Sequence, residues 1–274
     1  MQGKFKGILL CTDLDGTLLR ENRSISCENR EAIEYFQREG GLFTFVTGRM
    51  PFFVNHIYEA VRPNAPIGCI NGGGIYDFAA GKYLWAQEIS PAVLEMAAYA
   101  GDQLPGIGVQ VNCLERIFFC QENDVMREFR TVTGVPDLPA RYEEVHEPIA
   151  KIVFGVAREA EMQQLQALLR AHPLASEFDF IRSEQTLFEI LPKGISKGSV
   201  LPRMAELLAL DPARTIAVGD YYNDISMLCA AGVGYAVANA CEAAKEAADR
   251  ITVSNEEHAI AAIVGELERG ALTI

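Results

Sequence analysis

With 274 residues, 49% of them apolar and 22% charged, the chain has the make-up of a folded globular protein with room for a sizeable core, which excludes disorder and predicts two domains or one large α/β domain. A formal charge of -13 argues against nucleic acid as the main partner, since a phosphate backbone calls for a basic surface, and no apolar run reaches the ~18 residues of a membrane span. The seven cysteines are scattered without a CxxC pair, and no signal peptide precedes the first strand, so reduced core thiols and a cytoplasmic location are expected.

Residues 8–19 read Ile-Leu-Leu-Cys-Thr-Asp-Leu-Asp-Gly-Thr-Leu-Leu, one buried strand followed at once by two carboxylates and a glycine. Asp13 and Asp15 thus stand at the carboxyl end of a strand, where open α/β sheets bind ligands. In an extended chain both side chains point the same way, and like charges so close call for a proton or a cation between them. Oxygen ligands of this kind suit Mg2+. Gly16 lets the backbone turn and Thr17 offers a hydroxyl to hold it; an ordinary Asp-Gly turn is the competing reading.

Ser26 predicts the cap of a first crossover helix, with Ala32, Ile33 and Phe36 on one face and Gly40-Gly41 at its end. A second strand over 42–46 runs into Thr47-Gly48-Arg49. There a hydroxyl, a pliant backbone and an arginine fork make either an anion-binding corner or a plain strand-to-helix turn. A helix over 52–61 follows, then a strand over 67–70 ending in Asn71-Gly72-Gly73-Gly74. With neither GxxxxGK nor GxGxxG, that stretch reads as a turn into a hairpin, with a minor part in lining the site.

From Ser90-Pro91, which open a helix, the pattern changes. Strands are predicted over 109–111, 117–120, 151–156, 178–181 and 187–190, with helices over 124–131 and 159–171. Paired strands mixed with helices predict an antiparallel α+β unit, residues 83–190, inserted into a core of residues 1–82 and 191–274. Ser196-Lys197-Gly198 then opens a helix through residue 208. A lysine in its first turn opposes the macrodipole, and is either a solvated surface residue or one that faces an anion. A strand over 215–218 precedes Gly219-Asp220-Tyr221-Tyr222-Asn223-Asp224 and a helix over 225–231. One more strand at 234–237 and helices over 240–248 and 256–269 close the sheet. Asp13, Asp15, Asp220 and Asp224 cannot share one cleft without a cation.

Four pieces, Asp13-Leu14-Asp15-Gly16-Thr17, Thr47-Gly48-Arg49, Lys197 within Gly194-Ile195-Ser196-Lys197-Gly198, and Gly219-Asp220-Tyr221-Tyr222-Asn223-Asp224, resemble in order and spacing the motifs of the haloacid dehalogenase superfamily of phosphatases. The likeness is to its Cof-like branch with a type IIB (C2B) cap, and covers the whole chain, the cap by size and pattern. It implies an α/β fold, a doubly wound Rossmann-like parallel-sheet core with an inserted α+β cap domain that sets specificity. It also implies an aspartyl-phosphate mechanism, with Asp13 as nucleophile and Asp15 as acid and then base. Mg2+ would be held by Asp13, the backbone carbonyl of Asp15 and Asp220, with Asp224 close by or acting through water. Thr47, Gly48, Arg49, Lys197 and Asn223 would hold the phosphoryl oxygens.

The implied activity is hydrolysis of a small phosphorylated metabolite, a sugar phosphate foremost. No nucleic-acid or membrane partner is expected, and the chain is read as a monomer or small homo-oligomer. A phosphomutase is the nearest alternative. A phospho-accepting signalling domain would be near half this length without a cap, and a non-catalytic phosphometabolite sensor would have no use for Asp15.

Overall fold

The computed structural model describes residues 3–272 and 274. Two compact units emerge, Met1–Trp85 with Ser196–Ile274, and Ala86–Ile195, so the division falls after residues 85 and 195 rather than 82 and 190.

In the first unit β1 (Leu9–Thr12) is buried on both faces, as a central parallel strand is. Ser26 caps α1 (Cys27–Arg38), its hydroxyl accepting from the Asn29 N–H at 3.1 Å, and Ile33 and Phe36 form the buried stripe. After β2 (Leu42–Phe45) come a 3-10 turn, Pro51–Phe53, and α2 (Asn55–Val61). The single helix expected over 52–61 is broken because Val54 closes the 3-10 turn on Pro51 and takes φ -112°, outside the helical range. β3 (Ile67–Cys69), β4 (Gly74–Asp77) and β5 (Lys82–Ala86) make a three-stranded sheet in that order, and pairing of β5 keeps residues 83–85 with this unit.

The second unit contains α3 (Val93–Gln103), β6 (Gly108–Cys113), β7 (Ile117–Gln121), α4 (Asp124–Thr133), β8 (Ile149–Gly155), α5 (Glu159–Ala171), β9 (Phe178–Arg182) and β10 (Leu187–Pro192). Its sheet runs β7-β6-β8-β10-β9 with antiparallel neighbours. Alternate residues such as Val109, Val111, Ile152 and Phe154 join Met96 of α3 and Leu165 of α5 in one apolar cluster. Their neighbours on the other face include polar groups: Asn112 pairs with Lys151, and the buried Lys151 Nζ donates to Glu189 Oε2 at 2.7 Å. α3 begins three residues after Ser90, whose hydroxyl instead accepts from the Ala92 N–H in the preceding turn.

The chain then returns to the first unit through α6 (Lys197–Leu207), β11 (Thr215–Gly219), α7 (Ile225–Ala230), β12 (Val233–Ala236), α8 (Glu242–Ala247), β13 (Arg250–Ile251) and α9 (Ala259–Glu268). The core sheet is parallel in the order β13-β12-β11-β1-β2. From β1 the chain steps outward to β2, and from β11 it steps the other way, so the strand order reverses between β1 and β11. That is where a doubly wound sheet opens a crevice at its carboxyl edge. The exposed two-residue edge strand β13 has no sequence signal of its own. All seven cysteines are free; Cys11, Cys69 and Cys113 are buried as expected, whereas Cys27 and Cys229 are exposed on α1 and α7.

Gly198 lets α6 approach α7: a Cβ there would stand 2.2 Å from the Ser226 carbonyl oxygen, and its N–H donates to Ser226 Oγ at 3.0 Å. Gly198→Ala must therefore push the first turn of α6 outward, with an expected loss of about 1–3 kcal/mol in urea unfolding. A variant with wild-type stability would contradict this close packing.

Candidate active site

The ends of β1 and β11 are stitched together before any side chain is considered, the Asp13 N–H donating to the Val218 carbonyl at 2.8 Å. The chain then turns at Gly16, where φ is +79° and a Cβ would come within 2.5 Å of Asp220 Oδ2. The Thr17 hydroxyl, expected to hold its own turn, donates to Asp220 Oδ1 at 2.7 Å and so fastens the first loop to the one after β11.

Lys197 settles its two sequence readings, since its side chain is 1% exposed and not solvated. Ser196 caps α6, and Nζ donates to Asp13 Oδ1 at 2.7 Å and to Asp224 Oδ1 at 2.6 Å. Asp224 is itself positioned by two backbone donors, the N–H groups of Asp220 and Tyr221 reaching Oδ2 at 3.0 and 3.1 Å. Burial on its own lowers the Lys197 pKa, but Asp13 and Asp224 outweigh it and the net shift is upward.

The carboxyls show the opposite imbalance. Burial first, then the charge of Asp224, raises Asp13 well above the usual carboxylate range despite Lys197. Asp220 is pushed up to about 7 by burial and then by Asp224, with the Thr17 hydrogen bond opposing. Asp13, Asp220 and Asp224 each bring a carboxylate oxygen within 4.8 Å of the others. Ionised together, three carboxylates against one ammonium would leave negative charge uncompensated, and an all-oxygen donor set of that sign fits a hard divalent cation such as Mg2+.

Asp15 lies apart from that cluster. Its side chain points to Arg49, whose Nε donates to Oδ2 at 2.9 Å and Nη2 to Oδ1 at 2.6 Å. The Thr47 hydroxyl accepts from the Arg49 N–H at 3.2 Å, closing the corner that carries Gly48. Asn223 donates from Nδ2 to Asn71 Oδ1 at 3.0 Å. Asn71, read from sequence as a turn residue of minor weight, is the site residue that reasoning undervalued. It is buried, and its N–H donates to the Thr47 carbonyl at 3.0 Å while that of Ile70 donates to the Arg49 carbonyl at 3.1 Å. Ile70 and Asn71 both take left-handed φ, +57° and +52°, and a β-branched residue there stores strain of order 1–3 kcal/mol. The Asn-Gly pair after a strand was the available signal for such backbone.

A parallel α/β core whose strand ends gather three carboxylates, a buried lysine and an arginine corner defines a hydrolase of the phosphoryl-transfer type. The chain belongs to the family of haloacid dehalogenase-like hydrolases, whose family model matches residues 10–264. It is similar to phosphatase YwpJ of Bacillus subtilis (strain 168), 29% identical over 94% of this chain and 99% of that protein. It is also similar to 5-amino-6-(5-phospho-D-ribitylamino)uracil phosphatase YwtE of the same organism, 28% identical over 95% of this chain and 98% of that one. The fold matches that of the solved subclass IIB sugar phosphatase BT4131, with TM-score 0.84 at 21% identity, over 97% of this chain and 100% of that one. The enzyme is thus a phosphatase of the Cof-like branch. No helix among the described residues is long and apolar enough to cross a membrane.

Removing the lysine isolates two buried carboxylates. Lys197→Met is expected to lose about 3–5 kcal/mol at neutral pH in the metal-free protein, the cost of breaking a buried pair from one side. Folded Asp13 and Asp220 hold protons at pH values where the unfolded chain does not, so both oppose folding as pH rises from the ordinary carboxylate range through their raised values. Lys197 opposes both rises, so its removal carries them further, and the deficit of Lys197→Met relative to wild type should shrink on acidification. A deficit independent of pH would contradict the pairing.

Proposed function

We propose that the enzyme is a Mg2+-dependent phosphomonoester hydrolase working through an aspartyl phosphate on a small phosphorylated metabolite, with a polyhydroxylated alcohol such as a sugar as leaving group. The observation that carries this reading is the buried Lys197 ammonium shared by Asp13 and Asp224 beside Asp220. A carboxylate attacks a phosphate dianion only where cations offset their repulsion, and phosphoryl transfer depends chiefly on such positioning and neutralisation. Asp13, Asp220, Asp224 and the backbone carbonyl of Asp15 would hold Mg2+ between them. When bound, the ion supplies positive charge that favours the ionised form of Asp13 and offsets charge on the phosphoryl oxygens.

In this reading an Asp13 oxygen attacks phosphorus as the bond to the alcohol oxygen breaks, and Asp15 gives that oxygen its proton. Asp15 next takes a proton from water, whose oxygen attacks the same phosphorus and releases inorganic phosphate, restoring Asp13. Lys197, Thr47, Gly48, Arg49 and Asn223 hold the phosphoryl oxygens. The named substrate of YwtE carries its phosphate on a ribityl chain, which supports a hydroxyl-rich leaving group here. Ala86–Ile195 is the unit we take to choose among alcohols.

The division of labour is tested by rapid mixing with p-nitrophenyl phosphate, whose phenolate leaves without a proton. Asp15→Asn should release about one equivalent of nitrophenolate per site in a burst and then stall, while its turnover of sugar phosphates falls by roughly 10²-fold or more. Asp13→Asn should give neither burst nor turnover. Loss of the burst in Asp15→Asn as complete as in Asp13→Asn would overturn the assignment of the two roles. EDTA should abolish activity and Mg2+ restore it; full activity in metal-free buffer would remove the metal from the account.

A further inference from the structure

The two cations of the site are held in different ways. Lys197 is enclosed by Asp13 and Asp224 with 1% of its side chain exposed. The Arg49 and Asp15 side chains are 22% and 42% exposed, and ion pairs so open to water are worth little, about 0–1 kcal/mol. Arg49 cannot move as a whole, because its N–H donates to Thr47 Oγ1 and its carbonyl accepts from the Ile70 N–H. What can move is the guanidinium. It engages both Asp15 oxygens through Nε and Nη2, and the same planar fork fits two oxygens of a phosphoryl group equally well.

We propose that Arg49 is an exchange residue. In the ligand-free enzyme its fork clamps Asp15; when a phosphoryl dianion enters, the fork passes to the phosphoryl oxygens and the Asp15 side chain is released toward the leaving oxygen. The inference rests on the phosphatase reading and deepens it. The phosphate that marks a molecule as substrate is also what sets Asp15 free, and a phosphate-free alcohol leaves Asp15 clamped. Two groups that would otherwise repel, a carboxylate and an incoming dianion, thereby share one guanidinium in turn, and hydrogen bonds to Arg49 are exchanged one for one.

Exchange makes Asp15 and phosphate competitors for Arg49, which a double-mutant cycle detects. Inorganic phosphate is titrated calorimetrically, with Mg2+ present, into wild type, Asp15→Asn, Arg49→Met and the double variant, each checked for an unchanged melting temperature. Asp15→Asn should bind phosphate up to about fivefold more tightly, the equilibrium equivalent of releasing an exposed pair. Arg49→Met should bind it about tenfold more weakly and raise KM more than it lowers kcat. In the Arg49→Met background the gain from Asp15→Asn should disappear, since no fork is left to contest. Arg49→Lys, which keeps the charge without the fork, should recover phosphate affinity only in part.

If the gain from Asp15→Asn persists undiminished without Arg49, removal of a nearby negative charge explains it and exchange is overturned. Unchanged phosphate affinity in Arg49→Met overturns it as well. Wild type that neither binds phosphate nor releases it from any monoester overturns the phosphatase reading together with the exchange. Normal wild-type hydrolysis with strictly additive variants removes the exchange alone.

Discussion

Lys197 Nζ sits between Asp13 Oδ1 and Asp224 Oδ1 with almost no solvent around it, and the local architecture follows from keeping it there. α6 must bring its first turn close to α7, which Gly198 permits. Asp224 must hold still, which the backbone N–H groups of Asp220 and Tyr221 ensure. A buried pair of this kind is a poor source of stability, because the desolvation of the ammonium and its carboxyl partners offsets much of their attraction. Its use is specification: the ammonium fixes where two carboxylates from different loops stand relative to one another, and leaves Asp220 beside them with a surplus of negative charge.

That surplus separates the roles of the acids. Asp13 is buried and Asp220 partly so, and both are shifted upward, whereas Asp15 is half exposed and paired with Arg49. Two aspartates only two residues apart thus meet different surroundings, because the chain turns at Gly16 after the strand has ended and sends the second carboxylate toward the corner after β2. The motif Asp-Leu-Asp-Gly-Thr encodes both fates in its spacing. Which oxygen meets which partner is decided by residues far away in sequence.

Much of this was legible beforehand for a physical reason. The buried strands β1, β2 and β11 are short apolar runs bounded by Gly, Asp and Thr, and the charged residues that follow each run stand out because they interrupt it. α1 announced itself through Ser26 and α5 through its amphipathic period. The left-handed backbone at Ile70 was not legible, since no propensity places a β-branched residue there; it is held by its N–H on the Arg49 carbonyl and by the Gly73 N–H on its own carbonyl. Nor was the partner of Thr17, which lies 203 residues away. The clamp of Arg49 on Asp15 was likewise hidden, because the sequence shows an arginine fit for anions without showing that the nearest anion is the enzyme's own.

The central claim is that Asp13 and Asp220 hold protons in the metal-free enzyme and give them up when a divalent cation binds. Calorimetric titration of Mg2+ into metal-free enzyme near pH 6, repeated in buffers of different ionisation enthalpy, counts the protons displaced. With Asp220 raised to about 7 and Asp13 raised beside it, the account predicts release of about one proton or more per ion bound, declining as the pH is raised above 7. Binding enthalpies that do not depend on the buffer would show that these groups are already ionised without the metal, and would contradict it.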